Sequence, residues 1–153
     1  MTETINTHPV VGVMACVRRF NVELNGPQVL LGERLGERGR GLLAPVCGKI
    51  ELGETARHAM YRELGEEVGL HAAHIIGDPE CLGYTEVIDP VHHFVGVAFW
   101  ADVSASWVPV NLEPKKHRAW GWFSLSQLQR IAVTEFYGGV TTADLCINLA
   151  AAG

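Results

Sequence analysis

Most of the signals that would set this chain apart from ordinary globular proteins are missing from it. No apolar run approaches the ~20 residues needed to span a bilayer, so no membrane association is expected. The first residues, MTETINTHPVVGV, lack a basic segment followed by an apolar stretch and so carry no secretory pattern. Cysteine is sparse: Cys16, Cys47, Cys81 and Cys146 are scattered, with no C-x-x-C. They read as reduced thiols of a cytoplasmic protein, which excludes a disulfide framework and a cysteine zinc site. The His71/His74 and His92-His93 pairs lack partners at zinc spacing and read as surface or strand positions. Positive charge is in deficit, with 12 Lys and Arg against 17 Asp and Glu and a formal net charge of −5. That balance argues against stable nucleic-acid binding. Internal repeats, linkers and low-complexity segments are absent. The glycine-rich stretch LGERGRG, Leu35 to Gly41, lacks the G-K-[ST] ending of a phosphate-cradling loop.

What is present is a chain of 153 residues, 48% apolar and 19% charged, expected to form one domain over residues 1–153. Val10 to Arg18 is apolar and β-branched, a buried strand. Gln28 to Arg34 is a second, entered through the Asn25-Gly26-Pro27 turn signal. Leu82 to Ile88 and His93 to Val103 pair through Asp89-Pro90. Trp120 to Phe123 is a short aromatic strand whose two tryptophans share one side and belong to a core. Ser124 caps a brief helix through Arg130, and Thr141 to Ala151 forms a last helix with Leu145 and Leu149 on its apolar side. Strands, helix, strands and a final helix suit an α+β fold in which a mixed sheet packs between helices.

The densest information lies in Gly48 to Leu70, GKIELGETARHAMYRELGEEVGL. Thr55 is a helix N-cap and Gly69 suits the left-handed residue after the last turn. Met60, Leu64 and Val68 recur at i, i+4 and i+8, a buried stripe with Tyr61 beside it. Gly65 within the helix costs roughly 0.5–1 kcal/mol relative to Ala, which points to close packing there. Glu63, Glu66 and Glu67 project within an arc of about 100°. Three anions so placed repel one another. A hard divalent cation with oxygen ligands, Mg²⁺ with Mn²⁺ able to substitute, reverses that cost.

Gly48, Glu54, Arg62, Glu63, Leu64, Glu66, Glu67, Gly69 and Leu70 match every defined position of G-x5-E-x7-R-E-U-x-E-E-x-G-U, U being a bulky aliphatic. In this the chain resembles the Nudix hydrolases. V-L-L-G-E-R before the motif and N-L-E-P-K-K-H-R-A-W-G-W-F after it are similar to segments of the MutT-like branch. The resemblance implies an α/β/α sandwich in which the motif forms a loop-helix-loop. It also implies Mg²⁺-dependent hydrolysis of nucleoside triphosphates to a monophosphate and pyrophosphate. Glu63, Glu66 and Glu67 are the expected catalytic residues and, with the Gly48 carbonyl, the expected metal ligands. Glu54 and Arg62 are expected to brace the motif, and Arg34, Lys49 and Glu113 to bind substrate. Relatives often add a carboxylate from a facing loop, for which Glu86 and Glu113 are the candidates. The Leu35–Gly41 loop reads as a mobile surface loop; the alternative is that Arg34, Arg38 or Arg40 reaches phosphate. Tyr84, Trp107 and Phe136 are the candidates for stacking on a base. A nucleotide is the expected partner, and a homodimer is left open.

One position departs from the family pattern. Members commonly carry Pro-Gly-Gly where this chain has Val46-Cys47-Gly48. A side chain at Cys47 is expected to alter the loop backbone and to place an oxidisable thiol at the mouth of the site. Three rival readings follow from the same resemblance. Hydrolases of ADP-ribose or dinucleoside polyphosphates often carry a proline or tyrosine beyond the motif, with no convincing equivalent here. A non-catalytic nucleotide-binding module would usually have lost motif carboxylates, all of which are present. Decapping of mRNA is opposed by the acidic charge and the lack of an RNA-binding extension.

Overall fold

The computed structural model describes residues 7–152; residues 1–6 and 153, the ends of the expected 1–153 domain, lie outside the described residues. The first strand, β1 (Val10–Asn21), is the axis of the sheet. Its unbroken apolar run is explained by burial on both faces. Val13, Ala15 and Val17 enter one core, while Cys16 enters the other. On one side β1 lies parallel to β6 (His92–Val103), with Val13 opposite Val97. On the other it is antiparallel to two partners in turn. Its first half meets β4 (Val46–Lys49), with Val13 opposite Gly48, and its second half meets β2 (Gly26–Arg34), with Arg18 opposite Val29.

The two-residue strand β3 (Leu43–Ala44) and β7 (His117–Ser124) both pair with β2. Strand β5 (Ile75–Asp89) forms a hairpin with β6 and is the outer strand. The result is a seven-stranded mixed sheet. Helix α1 (Ala56–Val68) covers one face, and α2 (Leu125–Arg130) and α3 (Gly139–Ala151) cover the other. This is the expected α+β arrangement, an α/β/α sandwich. Among the described residues no helix is long and apolar enough to cross a membrane.

Met60, Leu64 and Val68 are fully buried against β1 and Leu30 of β2. Each such side chain stabilises the fold by about 1.5–3 kcal/mol. Trp120 and Trp122 pack on the same core, and Trp107 stands edge-on to Trp122 at 6.2 Å. Trp107 is therefore core, and so is Phe136, which is buried beneath α3. Tyr84, the third candidate for base stacking, is exposed on the outer strand. None of the three lines the main cavity. On the second face Leu149 is buried and Leu145 half-buried, as the helix period requires. Arg18, gripped by both oxygens of Asp102 at 2.6 and 2.9 Å, donates to the Ala152 carbonyl at 2.8 Å and ties down the end of α3.

Candidate active site

The site is built where α1 leaves β4. The Thr55 hydroxyl accepts from the His58 N–H at 3.1 Å, satisfying an otherwise unpaired donor of the first turn. At the other end Gly69 has φ +69°, and its N–H reaches the Gly65 carbonyl while Leu70 reaches that of Leu64. At Gly65 itself an added Cβ would lie 3.4 Å from the His71 ring, ordinary contact, so the expected close packing is not the reason for that glycine.

Between these caps, the carboxylates divide. Glu63 and Glu67 are buried, and Glu66 is half-exposed at the cavity rim. A Cβ on residue 48 would fall on the Glu63 carboxyl, so only glycine lets β4 pass this close to the helix. Arg62 ties the whole motif together. It donates to both oxygens of Glu54 at 2.8 and 2.9 Å, to Glu63 at 2.7 Å, to Glu66 at 3.3 Å and to the Lys49 carbonyl at 2.9 Å. With that guanidinium and the Glu51 N–H beside it, the Glu54 carboxyl is held down to about 2.

These residues wall a cavity of about 610 Å³. Its lining brings the carboxyls of Glu63, Glu66 and Glu67 and the backbone of Gly48 together with the cations Arg34, Arg38, Lys49 and Lys116. The Leu35–Gly41 loop is therefore part of the site and not simply a surface loop. Backbone bonds from Leu35 to Lys116 and from Gly41 to Arg34 fasten it, and Arg34 donates to the Arg38 carbonyl while lying 3.9 Å above the Tyr137 ring. Arg40 does not line the cavity. Of the two candidates for an added carboxylate, Glu113 lies against Glu67, whereas Glu86 is paired with His93 at 2.7 Å on the β5–β6 hairpin.

Cys47 sits within extended β4 opposite Met14, and Asn25 alone among the described non-glycine residues has positive φ. The side chain is thus accommodated without the expected change in the backbone. Its thiol is pushed well up, by burial first and then by Glu67, which keeps it protonated and opposes the expected oxidation sensitivity.

The electrostatics are those of carboxyl groups held out of water, Glu63 with Arg62 as partner and Glu67 with none. Burial, with Glu63 and Glu113 nearby, pushes the Glu67 carboxyl up to about 9. Burial also raises Glu63, against the opposing pull of Arg62. Buried oxygens of Glu67 and Glu113 have no hydrogen-bond partner. Orphaned carboxylate oxygens of this kind are costly. A divalent cation would satisfy them with the oxygen donors it prefers, so the residues present fit one.

Among the lining residues not expected at the site are His92, read as a surface or strand position, and Lys116, His117 and Tyr137. They come from β6, a turn, β7 and the approach to α3, so no single stretch joins them. His117 alone left a local trace, its i+4 spacing from Glu113.

Comparison with known proteins agrees with this geometry. A family model described as NUDIX domain matches residues 8–143. The chain belongs to the NUDIX domain family. It is 39% identical over 75 residues to an RNA pyrophosphohydrolase of Psychromonas ingrahamii, a match covering 49% of this chain and 36% of that protein. The chain thus spans little more than a third of that curated relative. A MutT NUDIX hydrolase from Burkholderia pseudomallei is similar in structure, with TM-score 0.69, 26% identity, and coverage of 90% of this chain and 97% of that one. The NUDIX domain of Shewanella oneidensis NrtR, solved with ADP ribose, shares the Nudix fold at TM-score 0.72 and 16% identity, over 90% of this chain and 86% of that one.

Proposed function

We propose that this Nudix protein is a Mg²⁺-dependent pyrophosphohydrolase that converts a nucleoside triphosphate to the monophosphate and pyrophosphate. The observation that carries the reading is the meeting in one cavity of Glu63, Glu66 and the buried Glu67, one of whose oxygens has no partner, with the cations Arg34, Arg38, Lys49 and Lys116. A chain of phosphates with a divalent cation complements both sets of charges at once.

Glu63, Glu66, Glu67 and the Gly48 carbonyl would hold the cation. When bound, it neutralises charge developing on the phosphates and acidifies water. The protein's own residues do the positioning on which phosphoryl transfer depends. Arg34 and Lys49 bind phosphate oxygens, assisted by Arg38 and Lys116. Glu66, at the cavity rim, or Glu63 orients the attacking water and takes its proton. Arg62 and Glu54 keep the loop and helix in register.

Two similar proteins favour a second reading: the NrtR domain was solved with ADP ribose, and the curated relative is an RNA pyrophosphohydrolase. Incubation of nucleoside triphosphates, ADP-ribose, dinucleoside polyphosphates and 5′-triphosphorylated RNA with Mg²⁺, with assay of phosphate and pyrophosphate, separates them. Pyrophosphate and monophosphate from a nucleoside triphosphate are expected. Turnover confined to another member of the panel would replace the reading, and turnover of none would leave a nucleotide-binding module.

A further inference from the structure

The segment after β6 returns to the end of α1 and is fastened there, with Val110 N–H on the Val68 carbonyl and Leu112 N–H on that of Glu67. It then makes one helical turn. The N–H groups of Lys116 and His117 both reach the Glu113 carbonyl, at 2.9 and 3.1 Å. Such a turn puts residues four apart on one side, so Glu113 and His117 face the same way. The side they share is that of Glu67. One ligand atom from each of Glu67, Glu113 and His117 lies within 4.8 Å of the others.

Hydrogen bonding explains this meeting only in part, through Glu113 Oε1, which accepts from Lys116 Nζ at 3.0 Å. The His117 Nε2 stands 3.8 Å from Glu67 Oε2, too far for a bond. Glu67 Oε2, Glu113 Oε2 and His117 Nδ1 are all buried without partners. Glu67 and His117 are only 2% and 4% exposed. The Trp120 ring, 4.6 Å from the imidazole at 41°, fixes its orientation. A carboxylate and an imidazole have been removed from water beside a half-buried second carboxylate, with no proton shared among the three.

We propose that Glu67, Glu113 and His117 form a mixed oxygen and nitrogen metal site in which the imidazole is a direct ligand, so that this protein binds Mn²⁺ in preference to Mg²⁺. The inference rests on the reading of the motif glutamates as metal ligands and extends that site through the shared Glu67. Imidazole suits transition ions, whereas Mg²⁺ demands oxygen donors and gives up its waters reluctantly.

Pulsed electron paramagnetic resonance of Mn²⁺ added to the full chain, without nucleotide, tests the ligand set directly. Hyperfine coupling to a histidine nitrogen is expected, and it should vanish in His117→Gln. The Mn²⁺ over Mg²⁺ affinity ratio, from competition titration, should fall at least about tenfold in that variant, the scale on which even the partners of metal ligands act. Glu113→Gln, which keeps the imidazole, should weaken Mn²⁺ binding and retain the nitrogen coupling. Failure of Mn²⁺ to bind, binding without nitrogen coupling in the unaltered protein, or an unchanged affinity ratio in His117→Gln would overturn the proposal. Mg²⁺-dependent nucleotide hydrolysis without nitrogen coupling defeats this site and leaves the proposed activity standing. Nitrogen coupling without nucleotide hydrolysis does the reverse.

Discussion

At Glu67 the chain holds a carboxylate almost wholly out of water, beside Glu63 and Glu113. Replacing it with glutamine keeps the shape and removes the charge. Glu63→Gln and Glu67→Gln should therefore fold normally yet lose a few orders of magnitude in turnover, because a bound cation contributes several kcal/mol of charge stabilisation. Steady-state kinetics together with circular dichroism check this, and near-normal turnover in Glu67→Gln would exclude that residue from the chemistry. Glu54 makes a different prediction, about stability. Its carboxyl is held down to about 2, chiefly by Arg62, against an ordinary value of 4.5. Between those values the unfolded chain binds more protons, so the stabilisation is complete above about pH 4.5 and is lost as pH falls through 2. Melting temperatures should accordingly separate the unaltered protein from Glu54→Gln near neutrality and converge toward pH 2. A constant gap would mean that the ion pair is not the source. Gly48, Glu63 and Glu67 were legible in the sequence because their spacing is local and their chemistry unusual. His117 was not, since its meaning depends on which helix its turn lands on.

The helix of the motif is the element that sequence describes best. Caps and periodicity are short-range properties, and both Thr55 and Gly69 stand where local rules put them. Thr55→Ala should destabilise the protein by about 0.5–2 kcal/mol in chemical denaturation. It should leave the Mg²⁺ dependence of any activity unchanged, since the cap touches none of the carboxylates. A change below the measurement error would show that the first turn is held by packing alone. The strands were less legible. The outer strand begins at Ile75, not Leu82, because a register shift between Ile76 and Glu80 carries Gly77 and Pro79 through a stretch that reads as a turn. Strands β3 and β4 are too short to show a period, and β4 owes its existence to β1, more than thirty positions earlier in the chain. Helix α3 starts at Gly139, just ahead of the expected Thr141, the usual uncertainty at a helix end without a side-chain cap.

Over the whole molecule, a mixed sheet brings the motif's loop, a cation-bearing loop and a returning turn around one cavity, and packing between two helical layers holds them there. In the proposed reaction water must approach in line with the group that leaves, so a single bond is the target of attack. The likeness to the MutT-like branch in the motif and in the Asn111–Lys116 segment favours attack at the β-phosphorus, with pyrophosphate leaving as one unit. Hydrolysis of a nucleoside triphosphate in ¹⁸O-labelled water, with mass spectrometry of both products, tests this most directly. The label is expected in pyrophosphate and not in the monophosphate. Label in the monophosphate would place attack at the α-phosphorus, and release of orthophosphate with a nucleoside diphosphate would contradict the proposed reaction altogether.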